Sequence, residues 1–196
     1  MSGIKNAELN VYCEDEVARE IITLALSNEL RARINIINVG SASAVVRLMA
    51  ARFKDKTARP SCALLDGDQV GLKAEHVNAF VHQLENVLDR QAANDWIDNR
   101  LSFLPGGNQP EAWLINTVLA NVSDRLAPDL GVPKEDLISH LEQAAVAEPH
   151  SRLHFLSTAL NLSVDTIRAR LIRAAFNRTP ADAARIIAFV RRFLTE

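Results

Sequence analysis

Acidic residues stand directly after three short apolar segments of the chain. The run EDE at 14–16 follows LNVYC, the run DGD at 66–68 follows CALL, and a glutamate at 111 follows LSFLPGGNQP. If such segments form neighbouring parallel strands, their carboxyl ends meet at one edge of the sheet, where α/β folds bind ligands. Carboxylates gathered there repel one another unless a cation neutralises them, and Mg²⁺ and Mn²⁺ prefer such oxygen ligands. The candidate catalytic and metal-binding residues are Glu14, Asp66, Asp68 and Glu111, with Asp15 and Glu16 as further candidates.

Each acidic feature also has a purely structural explanation. Acids in the first turn of a helix are stabilised by the helix dipole, which would account for residues 14–16 and for Glu111. An Asp-Gly-Asp sequence at the end of a strand is common in turns, although the small Gly67 would also let a ligand approach closely. The metal-site hypothesis rests on the three features together, because all of them fall where a sheet of this kind has its site.

Gly40 and Ser41 are candidates for a phosphate contact. Gly40 ends the β-branched run INIINV, and Ser41 or Ser43 can cap the helix that follows. Amides at a helix N-terminus bind phosphate, and this turn would lie at the same edge of the sheet as the acids. An ordinary strand–helix turn with a serine cap is the alternative.

An alternation of strands and helices in the first half of the chain would position these residues. The predicted strands are 8–13, 34–39 and 62–65, with a last candidate at 101–105. Apolar residues at helical spacing predict helices over 14–30 and 41–54. This order predicts parallel strands with right-handed crossover connections.

The second half of the chain is predicted to be almost entirely helical. Residues 73–99 have a polar helical pattern that could loop near Gln91–Asn94, and a helix begins near Pro110, where proline is favourable. Breaks are expected at Pro128, Gly131–Pro133, Glu148–Pro149, Asn161 and Thr179–Pro180. We therefore predict an α/β fold, a mostly parallel sheet flanked by helices, with an all-helical C-terminal extension. The predicted division is a metal-binding domain over 1–115 and the helical extension over 116–196.

The helical extension is basic at its end, although the whole chain has a formal net charge of −2. Residues 151–196 contain eight arginines, no lysine and three acids. Within them, residues 159–177 resemble a helix-turn-helix whose second helix carries arginines suited to phosphate contacts. These candidate nucleic-acid contacts are Arg168, Arg170 and Arg173. A helical hairpin whose arginines cover a surface, or one that docks an acidic protein, would have the same pattern.

Composition excludes several classes of protein. Of the 196 residues, 48% are hydrophobic, which argues against disorder. No apolar run is long enough to span a membrane and the first residues lack a signal peptide, so we expect a cytoplasmic protein without a membrane partner. An aromatic content of 5% argues against a single-strand nucleic-acid binder built on stacking. The two cysteines, Cys13 and Cys62, are too few for a disulfide framework and are predicted to be buried.

Three segments together resemble the TOPRIM pattern, which is shared by primases, topoisomerases and nucleases of the OLD (overcoming lysogenization defect) family. They are VYCEDEVAREI, INVGSASAVVRLM and CALLDGDQ, a strand ending in glutamate, a strand–glycine–helix unit and hydrophobic residues before Asp-x-Asp. The later segment FLPGGNQPEAWL is similar to the stretch that follows Asp-x-Asp in the OLD family. The resemblance covers roughly residues 8–115 and implies a TOPRIM-like sheet.

By this resemblance the protein is a Mg²⁺- or Mn²⁺-dependent endonuclease that hydrolyses phosphodiester bonds of DNA by a two-metal mechanism. Glu14, Asp66 and Asp68 would bind the ions, and Glu111 would complete the second position. The resemblance also implies DNA as the substrate and a role in bacterial defence beside an ATPase partner protein. Self-association into a homo-oligomer is compatible with it.

The chain departs from the family pattern. Asp15 stands where glycine is usual and Ala18 stands where an acid is often found, so either Asp15 or Glu16 compensates or one metal is held more weakly. The ATPase loop G-x-x-x-x-G-K-[ST] does not occur, which implies a detached module, a fragment or the nuclease partner of a separate ATPase. No basic side chain for the transition state stands out from its spacing. The candidates are Lys54, Lys56, Arg59, His150 and His154.

Two other classes of protein are alternatives. A receiver domain also has paired acids after its first strand, and Asp66 would then be its phosphoacceptor. Receivers need a lysine near a proline late in the sheet, and LSFLPGGNQP contains none. A pure binding module would instead use the helix-turn-helix-like segment to hold nucleic acid or a protein.

Overall fold

A parallel sheet of four strands forms the centre of the protein in the described residues, 7–55, 57–84 and 89–194 of a computed structural model. The strands are β1 Leu9–Cys13, β2 Ile34–Asn38, β3 Ser61–Leu65 and β4 Leu101–Phe103. They lie in the order β2-β1-β3-β4, and each neighbouring pair is parallel. The predicted parallel sheet and its last strand are confirmed.

Helices connect the strands and cover the sheet. In the described part of the chain they are α1 Glu16–Ala25, α2 Asn28–Arg33, α3 Ala42–Lys54, α4 Lys73–Gln83, α5 Arg90–Arg100, α6 Pro110–Leu119, α7 Leu126–Leu130, α8 Lys134–Val146, α9 Arg152–Leu160, α10 Val164–Arg178 and α11 Pro180–Arg191. Short 3-10 turns at Gly67–Leu72 and Pro149–Ser151 precede α4 and α9. The fold is α/β, with an entirely helical C-terminal part as predicted. None of the helices in these ranges has both the length and the apolar character that a membrane crossing requires.

Two predicted features of the helices are wrong. The helix predicted over 14–30 is divided at Leu26, and Ser27 caps α2 by accepting a hydrogen bond from the Leu30 amide at 3.3 Å. Pro128 does not break the chain but lies in the first turn of α7. Amides in a first turn have no partner within the helix, so proline loses no hydrogen bond there.

Other helix boundaries follow the expected backbone chemistry. Gly131 and Asn161 end α7 and α9 in the left-handed conformation, with φ of 73° and 51°. A break between α10 and α11 at Thr179 is also confirmed. The break within 73–99 lies between α4 and α5, whereas the suggested loop at Gln91–Asn94 is part of α5.

Alternate residues of the central strands face opposite sides of the sheet and belong to two apolar clusters. Leu9, Val11 and Cys13 of β1 belong to the cluster that includes α1 and helices from α6 to α11, whereas Tyr12 packs with α3, α4 and α5. Both central strands are buried throughout, as expected for strands covered on two faces. The predicted burial of Cys13 and Cys62 is confirmed. The protein therefore has three layers, with the sheet between two layers of helices.

One of these clusters joins the first half of the chain to the helical C-terminal part. It contains Ile21 and Ile22 of α1 together with Leu171 of α10 and Val190 of α11. The division predicted between residues 115 and 116 falls inside α6. The sheet and the C-terminal helices therefore share a core in the described residues.

Candidate metal centre

The connections of the sheet change direction between β1 and β3, which are neighbours although β2 lies between them in the chain. In open α/β sheets, ligands bind in the crevice at such a point, outside the carboxyl ends of the strands. Glu14 follows β1 directly and Asp66 follows β3 directly. The Asp66 amide donates a hydrogen bond to Oε1 of Glu14 at 2.9 Å. Two of the predicted acids therefore meet in this crevice.

Backbone amides hold Glu14 in place. The Asp66 and Ala42 amides donate to its carboxylate. The Gly40 amide donates to its carbonyl oxygen at 2.7 Å, from a turn in which Gly40 has a φ of 112° that favours glycine. Burial nevertheless raises the pKa of Glu14, and the two amide hydrogen bonds to the carboxylate only partly oppose this shift.

The predicted phosphate contacts at Gly40 and Ser41 do not fit this arrangement. The Gly40 amide is already used by Glu14. The Ser41 hydroxyl accepts a hydrogen bond from the Ala44 amide at 3.3 Å and caps α3. The serine-cap alternative therefore describes this turn, whose further role is to position an acidic residue.

The Asp66 carboxylate lies among other acids. Burial, and then the charges of Glu14, Asp15, Asp68 and Glu111, raise its pKa to about 8. Its Oδ1 atom is buried and has no hydrogen-bond partner in the described residues. A buried oxygen without a partner destabilises a fold unless another group satisfies it. Both properties of Asp66 are those of a carboxylate that a cation would stabilise.

A close backbone contact brings Glu111 to the same edge of the sheet. A Cβ atom on Gly67 would lie 2.7 Å from the Asn108 carbonyl oxygen and 2.9 Å from that of Pro105. Gly67 therefore makes room for the protein's own loop after β4, and not for a ligand as its size had suggested. This loop leads into α6, which begins at Pro110 and carries Glu111, 6% exposed, in its first turn.

Two basic residues from the C-terminal part of the chain, one in the turn Pro149–Ser151 and one at the start of α9, act on the charge of Glu111. Burial raises the pKa of Glu111 and the charge of Asp15 adds to this, whereas the charges of His150 and Arg152 act in the opposite direction. His150 was among the predicted basic candidates, but Arg152 was not singled out. Only the folding of the chain brings the charge of either residue to bear on Glu111, so no spacing in the sequence could have shown this effect.

Two of the other candidate bases, Lys54 and Arg59, lie away from this edge. Lys54 ends α3 and donates to the Gln83 carbonyl oxygen at 2.8 Å. Arg59 precedes β3, at the edge where the strands begin. His154 is exposed on α9, and Lys56 lies outside the described residues.

Asp15 and Glu16 have local roles in α1. Asp15 caps the helix by accepting a hydrogen bond from the Ala18 amide at 2.8 Å, and Glu16 pairs with Arg19. These contacts agree with the structural explanation of a first helical turn. Asp15 also belongs to the acidic cluster, because its charge raises the pKa of Asp66.

The donor chemistry of the cluster fits a hard divalent cation. The candidate ligands are all carboxylates, which favour Mg²⁺ or Mn²⁺ over softer metals. In the ranges that the structure describes, no three His, Cys, Asp or Glu side chains stand together as a ready-made metal site. Because like charges repel, a cation would have to draw these carboxylates together. The unpartnered Oδ1 of Asp66 is the atom that most clearly fits such a ligand.

The three predicted nucleic-acid contacts lie in different environments. Arg168 is buried and forms ion pairs with Glu20 on α1 and, at 2.7 Å, with Asp165. Its prediction as a phosphate contact is wrong, because its guanidinium is committed to holding α10 against α1. Arg170 is half-buried and Arg173 is exposed, so both can be reached from solvent.

The helix-turn-helix interpretation fails on packing. α9, a turn at Asn161 and α10 have the right connectivity. However, α10 packs against α1, α6, α7, α9 and α11, which makes it the central helix of its layer. A recognition helix must project into the major groove of DNA, whereas α10 lies among five other helices in the described residues and its exposed Arg173 and Arg178 border a cavity between them.

The sheet order and the acids at its change of direction define an α/β protein with a candidate divalent-cation site. Its fold is similar to that of the C-terminal regions of two OLD proteins. The region from Xanthomonas campestris pv. campestris aligns with a TM-score of 0.52 and 13% identity over 95% of each chain. The region from Burkholderia pseudomallei aligns with a TM-score of 0.53 and 14% identity over 95% of this chain and 98% of that one. The sequence matches no protein-family model and no curated protein.

Proposed function

We propose that the protein is a divalent-metal-dependent nuclease that hydrolyses phosphodiester bonds of DNA. The observation that carries the proposal is the environment of Asp66, a carboxylate with a buried, unpartnered oxygen among four other acids. The resemblance of the acidic motifs to OLD-family nucleases and the fold similarity to OLD C-terminal regions support it. An ATPase partner and a role in bacterial defence belong to the same proposal.

Four carboxylates would hold Mg²⁺ or Mn²⁺, namely Glu14, Asp66, Asp68 and Glu111. When bound, such ions activate a water molecule and stabilise the negative charge on the leaving oxygen. The chain itself contributes preorganisation, because backbone amides fix Glu14 and the close contact at Gly67 fixes the loop before Glu111. Groups held in this way need little rearrangement before they can act.

The C-terminal helices supply positive charge on the Glu111 side of the site. His150 and Arg152 are near enough to oppose the raised pKa of Glu111. Arg152 is anchored by its Nε atom, which donates to the Ala147 carbonyl oxygen at 3.1 Å. Basic groups here would attract and orient a DNA phosphate beside the carboxylates.

Cutting of supercoiled plasmid DNA tests the proposal. The full chain should nick or cut the plasmid with Mg²⁺ or Mn²⁺, and EDTA should stop the reaction. Mutating a residue that only hydrogen-bonds to a metal ligand typically lowers activity about 10–100-fold. Asp66 would bind the metal directly, so we expect Asp66→Asn to lower the cutting rate by at least about 100-fold. Asp136→Asn on α8 is the matched control, since it removes the charge of an exposed acid that is not among the charges shifting the pKa of Asp66 or Glu111.

Two measurements separate the possible outcomes. Equal cutting by Asp66→Asn and wild-type protein would contradict the proposal. Calorimetric titration with Mn²⁺ should show binding to wild-type protein and weaker binding to Asp66→Asn, which connects lost activity to a lost ligand. Incubation with acetyl phosphate tests the receiver alternative, and phosphorylation of Asp66 would replace the nuclease assignment.

A further inference from the structure

A cavity of opposite character to the acidic cluster lies between α6, α7 and α10. It has a volume of about 600 Å³ and four arginines line it, so we name it the arginine groove. These residues are Arg125, Arg170, Arg173 and Arg178. Three of them recur at helical spacing on one face of α10, and Arg125 directly precedes α7. The groove therefore concentrates positive charge from two separate elements.

Little within the protein neutralises this charge. Asp129 is the acid that lines the groove, and it lies 3.6 Å from Arg170. Among the described residues, Arg125, Arg173 and Arg178 form no salt bridge. Arginines held close together without acids repel one another, so the groove is suited to an anion that can bridge several of them.

We propose that the arginine groove binds the phosphodiester backbone of DNA, an inference that rests on the proposed nuclease function. Guanidinium groups match phosphate oxygens with two parallel hydrogen bonds. The groove also offers Asn121 and Asn177 as neutral hydrogen-bonding groups. No aromatic side chain lines it in the described residues, so nothing there would stack on a base. These properties favour a backbone over a mononucleotide.

The position of the groove relative to the acids also favours DNA. α6 carries Glu111 in its first turn, and Val118 in its last turn lines the groove. With a rise of 1.5 Å per residue, the two positions are about 10 Å apart along the helix. One DNA strand covers that distance in about three nucleotides. A single DNA molecule can therefore contact the groove and lie close to the acidic site.

Binding of a fluorescein-labelled DNA duplex, followed by anisotropy in EDTA over a range of NaCl concentrations, tests the inference. We expect Arg173→Gln/Arg178→Gln to weaken binding at least tenfold at low salt. Each phosphate contact contributes a slope of about −0.9 to log K against log salt, so losing two should make the slope shallower by about 1.8. Arg173→Lys/Arg178→Lys keeps both charges and should retain most of the affinity.

The matched control is Arg59→Gln/Arg191→Gln, which removes two exposed arginines that do not line the groove. Arg59 precedes β3, and Arg191 is next to Arg192, which contacts Asn99 before β4. This control should bind within about twofold of wild type. If the control and groove variants lose DNA affinity equally, the loss comes from the change in net charge alone, and the inference is overturned. Undiminished binding by the groove variant, or DNA binding that is not detectable in wild-type protein, would also overturn it.

Two further experiments identify the ligand of the groove and test this inference separately from the nuclease proposal. Competition by inorganic pyrophosphate or ADP at micromolar concentrations would assign the groove to a small phosphorylated ligand and overturn the DNA inference. Asp66→Asn should retain duplex binding in EDTA. If it loses cutting while the groove variant binds normally, only the groove inference fails. If no protein cuts but the groove variant loses binding, only the nuclease proposal fails.

Discussion

The Asp66 carboxylate is held in a place that disfavours its ionised form. The sequence puts it directly after a fully buried strand, and the fold then adds four other acids around it. Desolvation and repulsion both raise the energy of the negative charge, which is why its pKa rises to about 8. At neutral pH and without a cation, Asp66 in the folded protein therefore holds a proton that the unfolded chain releases.

This arrangement predicts how stability changes with pH. An aspartate in an unfolded chain has a pKa of about 3.9, so between about pH 4 and pH 8 the folded state binds a proton that the unfolded state releases. The free energy of unfolding should therefore fall as pH rises through this window. We expect the Tm in EDTA, followed by circular dichroism, to fall from pH 5 to pH 8.5. Asp66→Asn should flatten this slope.

Asp136→Asn is again the control, and it should keep the wild-type slope because this acid is exposed on α8. The raised pKa values of Glu14 and Glu111 act in the same direction as that of Asp66, so some slope should persist in Asp66→Asn. A wild-type Tm that rises over this range, in the absence of divalent cations, would show that the acids are not held as the structure indicates.

The position of a single site residue could be predicted where it is determined by neighbouring residues in the chain. Glu14 and Asp66 could be placed at strand ends, because a buried strand and the acid after it are neighbours in the chain. Arg152 could not be connected with Glu111, since only tertiary packing brings them together. The Gly40 amide was assigned to a ligand because its real acceptor, the Glu14 carbonyl oxygen, lies just beyond the end of a different strand, β1.

At the scale of the element, Arg168 shows how α10 is fixed to the sheet layer. Its helix has a largely apolar buried face, and Arg168 interrupts that face to reach Glu20 on α1. The side chains of Arg168 and Glu20 are only 10% and 19% exposed. Removing one partner of such a pair leaves the other charge buried without compensation.

We expect Arg168→Ala to lower the free energy of unfolding by about 3 kcal/mol, toward the lower end of the range for a broken buried ion pair. The combined Arg168→Ala/Glu20→Gln change should be less destabilising than the sum of the two single changes, because it removes the stranded charge. Urea denaturation measures both effects. Arg173→Ala, on the exposed side of the same helix, should change stability by no more than about 0.5 kcal/mol. Similar losses for the two alanine variants would argue against a structural role specific to Arg168.

The elements themselves were predictable where periodicity and turn residues agree. The parallel strands and the breaks at Gly131 and Asn161 could be predicted because each follows from short stretches of sequence. The role of α10 could not be predicted, because a recognition helix and a central helix can have the same sequence pattern of arginines among apolar residues. Only the five helices packed around α10 distinguish the two.

For the whole molecule, charge is divided between two places that a net charge of −2 conceals. Acids gather at the carboxyl edge of the sheet, and arginines gather around the groove at the far end of α6. The basic segment 151–196 predicted such a division of charge, but Arg168 was expected to be part of the basic surface. In the fold, Arg125 from outside that segment joins the groove instead.

The shared apolar core predicts that the first half of the chain does not fold alone. Ile21 and Ile22 on α1 are fully buried, in the same cluster as Leu171 and Ile172 on α10. Without the later helices this face of α1 would be exposed to water, and the stabilisation from its burial, at roughly 25 cal/mol per Å² of apolar surface, would be lost. We therefore expect a fragment of residues 1–121, which keeps α6 whole, to lack a cooperative thermal transition by circular dichroism.

The full chain is the reference and should unfold in a single cooperative transition if the sheet and the C-terminal helices form one unit. The fragment should also bind a dye specific for exposed apolar surface, whereas the full chain should not. Adding residues 122–194 as a separate peptide should restore part of the transition, because the missing helices can then cover α1. A fragment that unfolds cooperatively near the Tm of the full chain would instead support an independent metal-binding domain. The predicted division between residues 115 and 116 would then mark a real domain boundary, which would lie a few residues later, after the end of α6.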